Sequence, residues 1–300
     1  MKFNIITHIT TACNYDCSYC DVIKDKRLMQ EDVFLWVIDF MKNNSKYIER
    51  FKFFGWEPLL AKAQIKELLV KFPENRNFEI VTNTTLLDDE IWEKLSQQFT
   101  LIFFSIDSEN DFNFWKNIAF IEKYDLEKKL YFNIIIDPEN IDNAEKQFFD
   151  LYNAGMRWYN FLPVYFTKTW EDLELKKLAV FMKKVLDLSI QDNSLRLYWF
   201  QENKGYDTSL INPSIFIDVD GKIYYSDFVS TFLWEKIKEE LYLWEVKNFD
   251  LEKIIHFNFE SQKKALNWLE EKISVAVKGQ KQLHKIMDYF SVYLNKKNGK

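Results

Sequence analysis

Cys13, Cys17 and Cys20 fall within one short stretch, and the 300-residue chain has no other cysteine. Thiolates are ligands for soft metals, so the trio reads first as a metal site. On a four-iron cluster three thiolates leave one iron without a protein ligand, and an open iron is where a substrate or cofactor can bind. A structural zinc ion takes four protein ligands instead. His8 is the only nearby histidine and falls within a strand, while Asp16 or Asp21 would make an unusual fourth ligand. Buried thiols with no metal are the third reading. An odd, tightly clustered set is not a disulfide framework. Spacing favours iron–sulfur over zinc and leaves both open.

The elements that must position these thiols alternate along the chain. Short β-branched or aromatic runs at Phe3–His8, Arg50–Phe54, Phe78–Thr82, Leu101–Ile106, Leu130–Ile136 and Arg157–Pro163 read as strands. Helical periods occupy Glu31–Lys42, Ala61–Lys71, Asp88–Gln97, Asp111–Lys123, Ile141–Asn153 and Glu171–Leu188. Acids open the third and sixth helices, and Gly155 stops the fifth. Six strand–helix units predict an α/β fold, a partial (β/α)6 TIM-like barrel with its chemistry at the C-terminal strand ends. The cysteines directly follow the first strand, so they fall at such an end.

Further motifs fall at later strand ends. Phe53-Phe54-Gly55-Trp56-Glu57-Pro58-Leu59-Leu60 follows the second strand and Thr82-Asn83-Thr84-Thr85-Leu86-Leu87 the third. Ser105-Ile106-Asp107 ends the fourth. Each stretch alone is explained by loop capping. Together with Cys13-x3-Cys17-x2-Cys20, and Tyr19 before the last cysteine, they resemble the signatures of the radical S-adenosylmethionine (SAM) superfamily across residues 1–190. Trp56, Thr84 and Ser108 stand where the family has glycine.

The resemblance implies an enzyme whose three cysteines hold a [4Fe-4S] cluster with SAM on the open iron. Tyr19 would lie near adenine, and Gly55, Trp56, Glu57 and Pro58 would receive the amino group of SAM. Thr82 and Asn83 belong to the third motif. Ser105 and Asp107 are candidates for the SAM carboxylate or ribose, Asn133 for a further contact, and Leu162 and Pro163 for adenine packing. A reduced flavodoxin or ferredoxin would supply the electron that cleaves SAM to a 5′-deoxyadenosyl radical, which abstracts hydrogen from the substrate.

After residue 190 the pattern changes, and residues 191–300 are expected to form a small α+β extension. Leu195–Phe200 reads as a strand. Ser214–Asp218 and Lys222–Tyr225 read as a hairpin closed by Asp218-Val219-Asp220-Gly221, which lacks the downstream acids of a calcium loop. Leu233–Glu240 and Glu260–Leu294 read as mostly helical. The hairpin resembles the opening of the SPASM or twitch extension of peptide-modifying members, with Ser226 in place of a cysteine. A remnant extension without an auxiliary cluster is therefore expected, and an unrelated hairpin is the alternative.

A ribosomally made peptide is the substrate this implies. A small metabolite, a glycyl-radical partner enzyme, and a non-enzymatic zinc module are the alternatives. A net charge of -6 argues against nucleic acid. No apolar run is long enough to span a membrane, and the N-terminus lacks the h-region of a signal peptide, so a cytoplasmic protein is expected.

Overall fold

The computed structural model describes residues 3–20, 25–75, 77–106, 114–164, 168–198, 214–224, 242–249 and 280–297. Six strands each lead into a helix. In order these are β1 (Phe3–Thr10), α1 (Glu31–Asn44), β2 (Ile48–Gly55), α2 (Lys62–Lys71), β3 (Phe78–Thr82) and α3 (Asp89–Gln98). They continue with β4 (Phe99–Ile106), α4 (Phe114–Lys123), β5 (Leu130–Ile136), α5 (Ile141–Asn153), β6 (Trp158–Pro163) and α6 (Asp172–Gln191). β1 to β6 lie side by side in chain order, and every neighbouring pair is parallel. Together with the helices this is the expected partial barrel.

Local chemistry explains the boundaries. Asp88 caps α3 by accepting from the Ile91 N–H at 3.0 Å, and Lys62 Nζ meets the same carboxylate at 2.7 Å. α5 ends where Gly155 takes φ +91°, with Met156 N–H donating back to Leu151 O at 3.0 Å. Alternate strand residues, among them Phe51, Phe53, Ile80, Ile102, Phe104, Phe132 and Ile134, pack with the helices in one hydrophobic core. The residues between them face the other side of the sheet, into the barrel.

The expected Leu195–Phe200 strand is short. β7 spans Arg196–Leu197 beside β6, and residues 199–213 lie outside the described residues. The hairpin is present as β8 (Ser214–Ile217) and β9 (Lys222–Tyr224), antiparallel, and Gly221 turns at φ +82°. Its placement could not be read from the sequence. β8 pairs in parallel with β1, and β10 (Tyr242–Glu245) pairs with β9, so the barrel sheet continues through the hairpin. α7 (Gln280–Lys297) realises the end of the last helical expectation and packs on α6. Leu233–Glu240, Ser226 and residues 260–279 lie outside the described residues.

Candidate active site

The cysteine loop leaves the C-terminal end of β1 and is tied at its base. Thr11 N–H donates to Arg27 O at 2.9 Å, and Met29 N–H donates to Ile9 O at 3.0 Å. Thr10 Oγ1 donates to Arg27 O at 2.8 Å, and Arg27 N–H donates to Thr11 Oγ1 at 2.9 Å. Within the loop Cys20 N–H donates to Cys17 O at 3.1 Å. Tyr15 N–H donates to Cys13 Sγ at 3.3 Å. All three cysteine side chains are partly exposed, as is Tyr19. Partly exposed thiols on one pinned loop, one of them already receiving an N–H, fit an iron–sulfur cluster open on one side. No three His, Cys, Asp or Glu side chains are gathered for a single metal ion among the described residues.

β2 ends against this loop. Gly55 sits at φ +134°, and a Cβ there would lie 2.4 Å from Thr10 O. Only glycine allows so close an approach of the two strand ends. The adjacent position tolerates Trp56 because the close contact is made one residue earlier. The Trp56 ring stands edge-on to His8 with centroids 4.9 Å apart. His8 is fully buried, boxed also by Phe54 and Phe216, with Nδ1 3.6 Å from the Asp218 carboxylate of the hairpin turn. Far from serving as a fourth metal ligand, it lies in the barrel wall.

Glu57 N–H donates to Ala12 O at 3.1 Å, tying the second motif to the cysteine loop. The Glu57 side chain is fully buried. Its Oε1 accepts from Leu59 N–H at 2.9 Å and from Thr82 Oγ1 at 2.8 Å, and its Oε2 accepts from Asn83 N–H at 2.7 Å. Burial raises its pKa to about 7 against the lowering effect of these three bonds. Glu57 thus staples the end of β2 to the end of β3, with Pro58 buried at the start of the turn that follows.

Beyond Thr82 the chain turns through Thr84 at φ +71°, the left-handed conformation that favours glycine. Asn83 Nδ2 donates to Asn14 Oδ1 at 2.9 Å, and Asn14 Nδ2 donates to Thr85 Oγ1 at 2.8 Å. Asn14 lies between two of the cysteines, so this side-chain pair fastens the cysteine loop to β3. Sequence reasoning passed over Asn14. Its signal was an amide inside the cysteine spacing, a residue type suited to bridging loops.

The other strand ends differ. Ser105, Asn133 and Asn160 are register partners on β4, β5 and β6, so they share the inward face. Asn160 Nδ2 donates to Asn133 Oδ1 at 2.9 Å inside the barrel. Leu162 is partly exposed and Pro163 is buried at the end of β6. Asp107 lies outside the described residues. Asn160 was also missed, although an amide inside an otherwise apolar strand marks an inward position.

The geometry agrees with comparisons to known proteins. The family model of the radical SAM superfamily matches residues 7–178, more than half of the chain. A solved structure described as native anSMEcpe with bound AdoMet and Cp18Cys peptide is similar at a TM-score of 0.67 and 16% identity, covering 87% of this chain and 82% of that one. Streptococcus suis SuiB bound to S-adenosylmethionine is similar at 0.62 and 13%, covering 86% and 66%. The same protein bound to precursor peptide SuiA gives 0.60 and 14%, covering 84% and 64%. At these identities the likeness to the solved structures is one of fold. Radical SAM enzymes work with a [4Fe-4S] cluster and SAM, and with its family model, partial barrel and thiol loop at the first strand end this chain belongs to the radical SAM superfamily.

Proposed function

We propose that the chain is a peptide-modifying radical SAM enzyme, with Cys13, Cys17 and Cys20 holding the cluster. The observation that carries the site is the pinned cysteine loop, stapled through Ala12 to Glu57 and through Asn14 to Asn83. A cluster and SAM held by these residues would supply radical hydrogen abstraction from the substrate. The residues of the chain bind and orient. Tyr19 flanks the adenine on the cysteine loop. Gly55 and Trp56, held by the buried Glu57, offer backbone carbonyls to the SAM ammonium, and Pro58, Thr82 and Asn83 keep that edge rigid. Ser105, Asp107 and Asn133 address the carboxylate and ribose, and Leu162 with Pro163 backs the adenine. A flavodoxin or ferredoxin delivers the electron.

The peptide substrate is supported by the fold neighbours, two of which were solved with peptides, Cp18Cys on anSMEcpe and SuiA on SuiB. The hairpin, placed on the β1 edge beside the cysteine strand, supports it as well. We further propose that residues 191–300 form a SPASM- or twitch-like remnant without an auxiliary cluster. No described helix is long and apolar enough to cross a membrane, and we propose a cytoplasmic setting, which suits an oxygen-sensitive cluster.

Anaerobic reconstitution tests the reading. About four irons per chain and reductant-dependent formation of 5′-deoxyadenosine from SAM are expected. One zinc per chain with no deoxyadenosine would overturn it.

A further inference from the structure

The lumen of a parallel barrel is ordinarily filled by side chains in layers. Here the inward residues Lys52, Phe54, Ser105, Ile135 and Leu162 are partly exposed, whereas outward residues beside them such as Phe53, Phe104 and Ile134 are buried. Water therefore reaches part of the inner face, and the space these residues line is called the chamber below.

Two groups in this chamber lack what their chemistry calls for. Lys52 stands in the middle of β2 with Nζ 4.9 Å from the Phe103 ring centroid and 5.5 Å from that of Phe54. No carboxylate among the described residues pairs with it. The neighbouring inward charges, Arg50 and Glu79, are paired with each other at 3.0 Å. Ring faces hold a cation weakly, and a half-desolvated ammonium gains most from an anion. Across the barrel Asn160 is buried at 7% exposure, and its Oδ1 has no hydrogen-bond partner. A buried carbonyl oxygen in that state calls for an N–H donor.

We infer that the chamber binds a substrate segment bearing a carboxylate, which pairs with Lys52, beside an N–H that donates to Asn160 Oδ1. The inference rests on the peptide reading above, and it makes the bound group either an acidic side chain or a C-terminal carboxylate. It adds a specificity site distinct from the cysteines and from the stapled motifs.

The test is isothermal titration of the cluster-reconstituted full chain in the presence of SAM. The probes are a blocked tetrapeptide with one glutamate, its glutamine counterpart, and the glutamine peptide with a free C-terminal carboxylate. N-acetylglutamate and N-acetylglutamine serve as non-peptide probes. One of the two carboxylate peptides should bind about tenfold tighter than the blocked glutamine peptide, and which one does identifies the source. Lys52→Gln should erase that preference and Lys52→Arg should keep it, while SAM affinity changes by less than about twofold. Equal binding of all three peptides, a preference that survives Lys52→Gln, or no binding of any probe overturns the inference. Loss of SAM affinity in Lys52→Gln also overturns it, because the cation then serves the carboxylate of SAM. A Lys52-dependent preference for N-acetylglutamate with no peptide bound retains the anion site and ends the peptide reading.

Discussion

The ends of β1 to β3 and the ends of β4 to β6 are built on opposite plans. At the first three, the strand ends and loops are tied directly to one another. Gly55 lets two strand ends touch, Glu57 bridges two loops from a buried position, and Asn14 and Asn83 clasp the cysteine loop. At the last three, side chains point into a chamber that water reaches, and one of them keeps an unpartnered oxygen. A cofactor that is the same at every turnover rewards a rigid seat, since a group held in place needs no reorganisation during reaction. A substrate that must enter and leave calls for a more open wall. We propose that the stapled ends form the cofactor half and that the open ends, besides the SAM contacts proposed for Ser105, Asn133, Leu162 and Pro163, admit the substrate.

Substitutions that break the rigid half should cost most. Gly55→Ala drives a Cβ into Thr10 O at a backbone conformation reserved for glycine, and we expect a loss of about 2–4 kcal/mol, read as a thermal midpoint lowered by roughly 5 °C or more. Retention of the wild-type midpoint would mean the two strand ends are not so tightly apposed.

Glu57→Gln should cost about 1–3 kcal/mol near pH 5, because its amide nitrogen faces donors where an oxygen stood. The pH dependence has a definite sign. The folded pKa, about 7, lies above the ordinary 4.5, so the folded state holds the extra proton between those values. Wild-type stability should then fall as pH rises through this window and level off above it, by up to about 3 kcal/mol relative to Glu57→Gln. Denaturant unfolding of both proteins at pH 5 and pH 8 reads this directly. A constant difference between them would remove the buried carboxylate from its assigned place.

Asn14→Ala is expected to cost about 1 kcal/mol or less in stability, since the site is exposed. It should nevertheless speed loss of iron from the reconstituted protein in air. Ser105→Ala, in the open half, should stay within about 0.5 kcal/mol of wild type by thermal unfolding. A large destabilisation there would erase the contrast between the halves.

Much of this was legible in the sequence, and the reasons differ by region. The six strand–helix units follow from hydrophobic period and caps, and β3, β5 and α5 have the expected bounds. The site motifs were legible because each follows a strand. Glu57 was read as an acceptor for the SAM ammonium, and its fold-side partners Thr82 and Asn83 became visible only once β2 and β3 were side by side. Thr84 shows why: the residue type itself gives no signal for φ +71°, only the family's glycine at its position does, and the hydrogen bonds from Thr84 N–H to Thr82 Oγ1 and from Leu87 N–H to Thr84 O hold it there. The parallel pairing of β8 with β1 joins segments about 200 residues apart, a contact that no local pattern encodes. Lys52 carries no signal of its own in the sequence, and only the strand register places it inside the barrel.

The most direct test of the cofactor half is electron paramagnetic resonance of the reduced, reconstituted protein with and without SAM. A cluster held by Cys13, Cys17 and Cys20 with one open iron should give a four-iron signal that SAM shifts, and Cys17→Ala should abolish it. Identical spectra with and without SAM, or an undiminished signal in Cys17→Ala, would contradict the assignment.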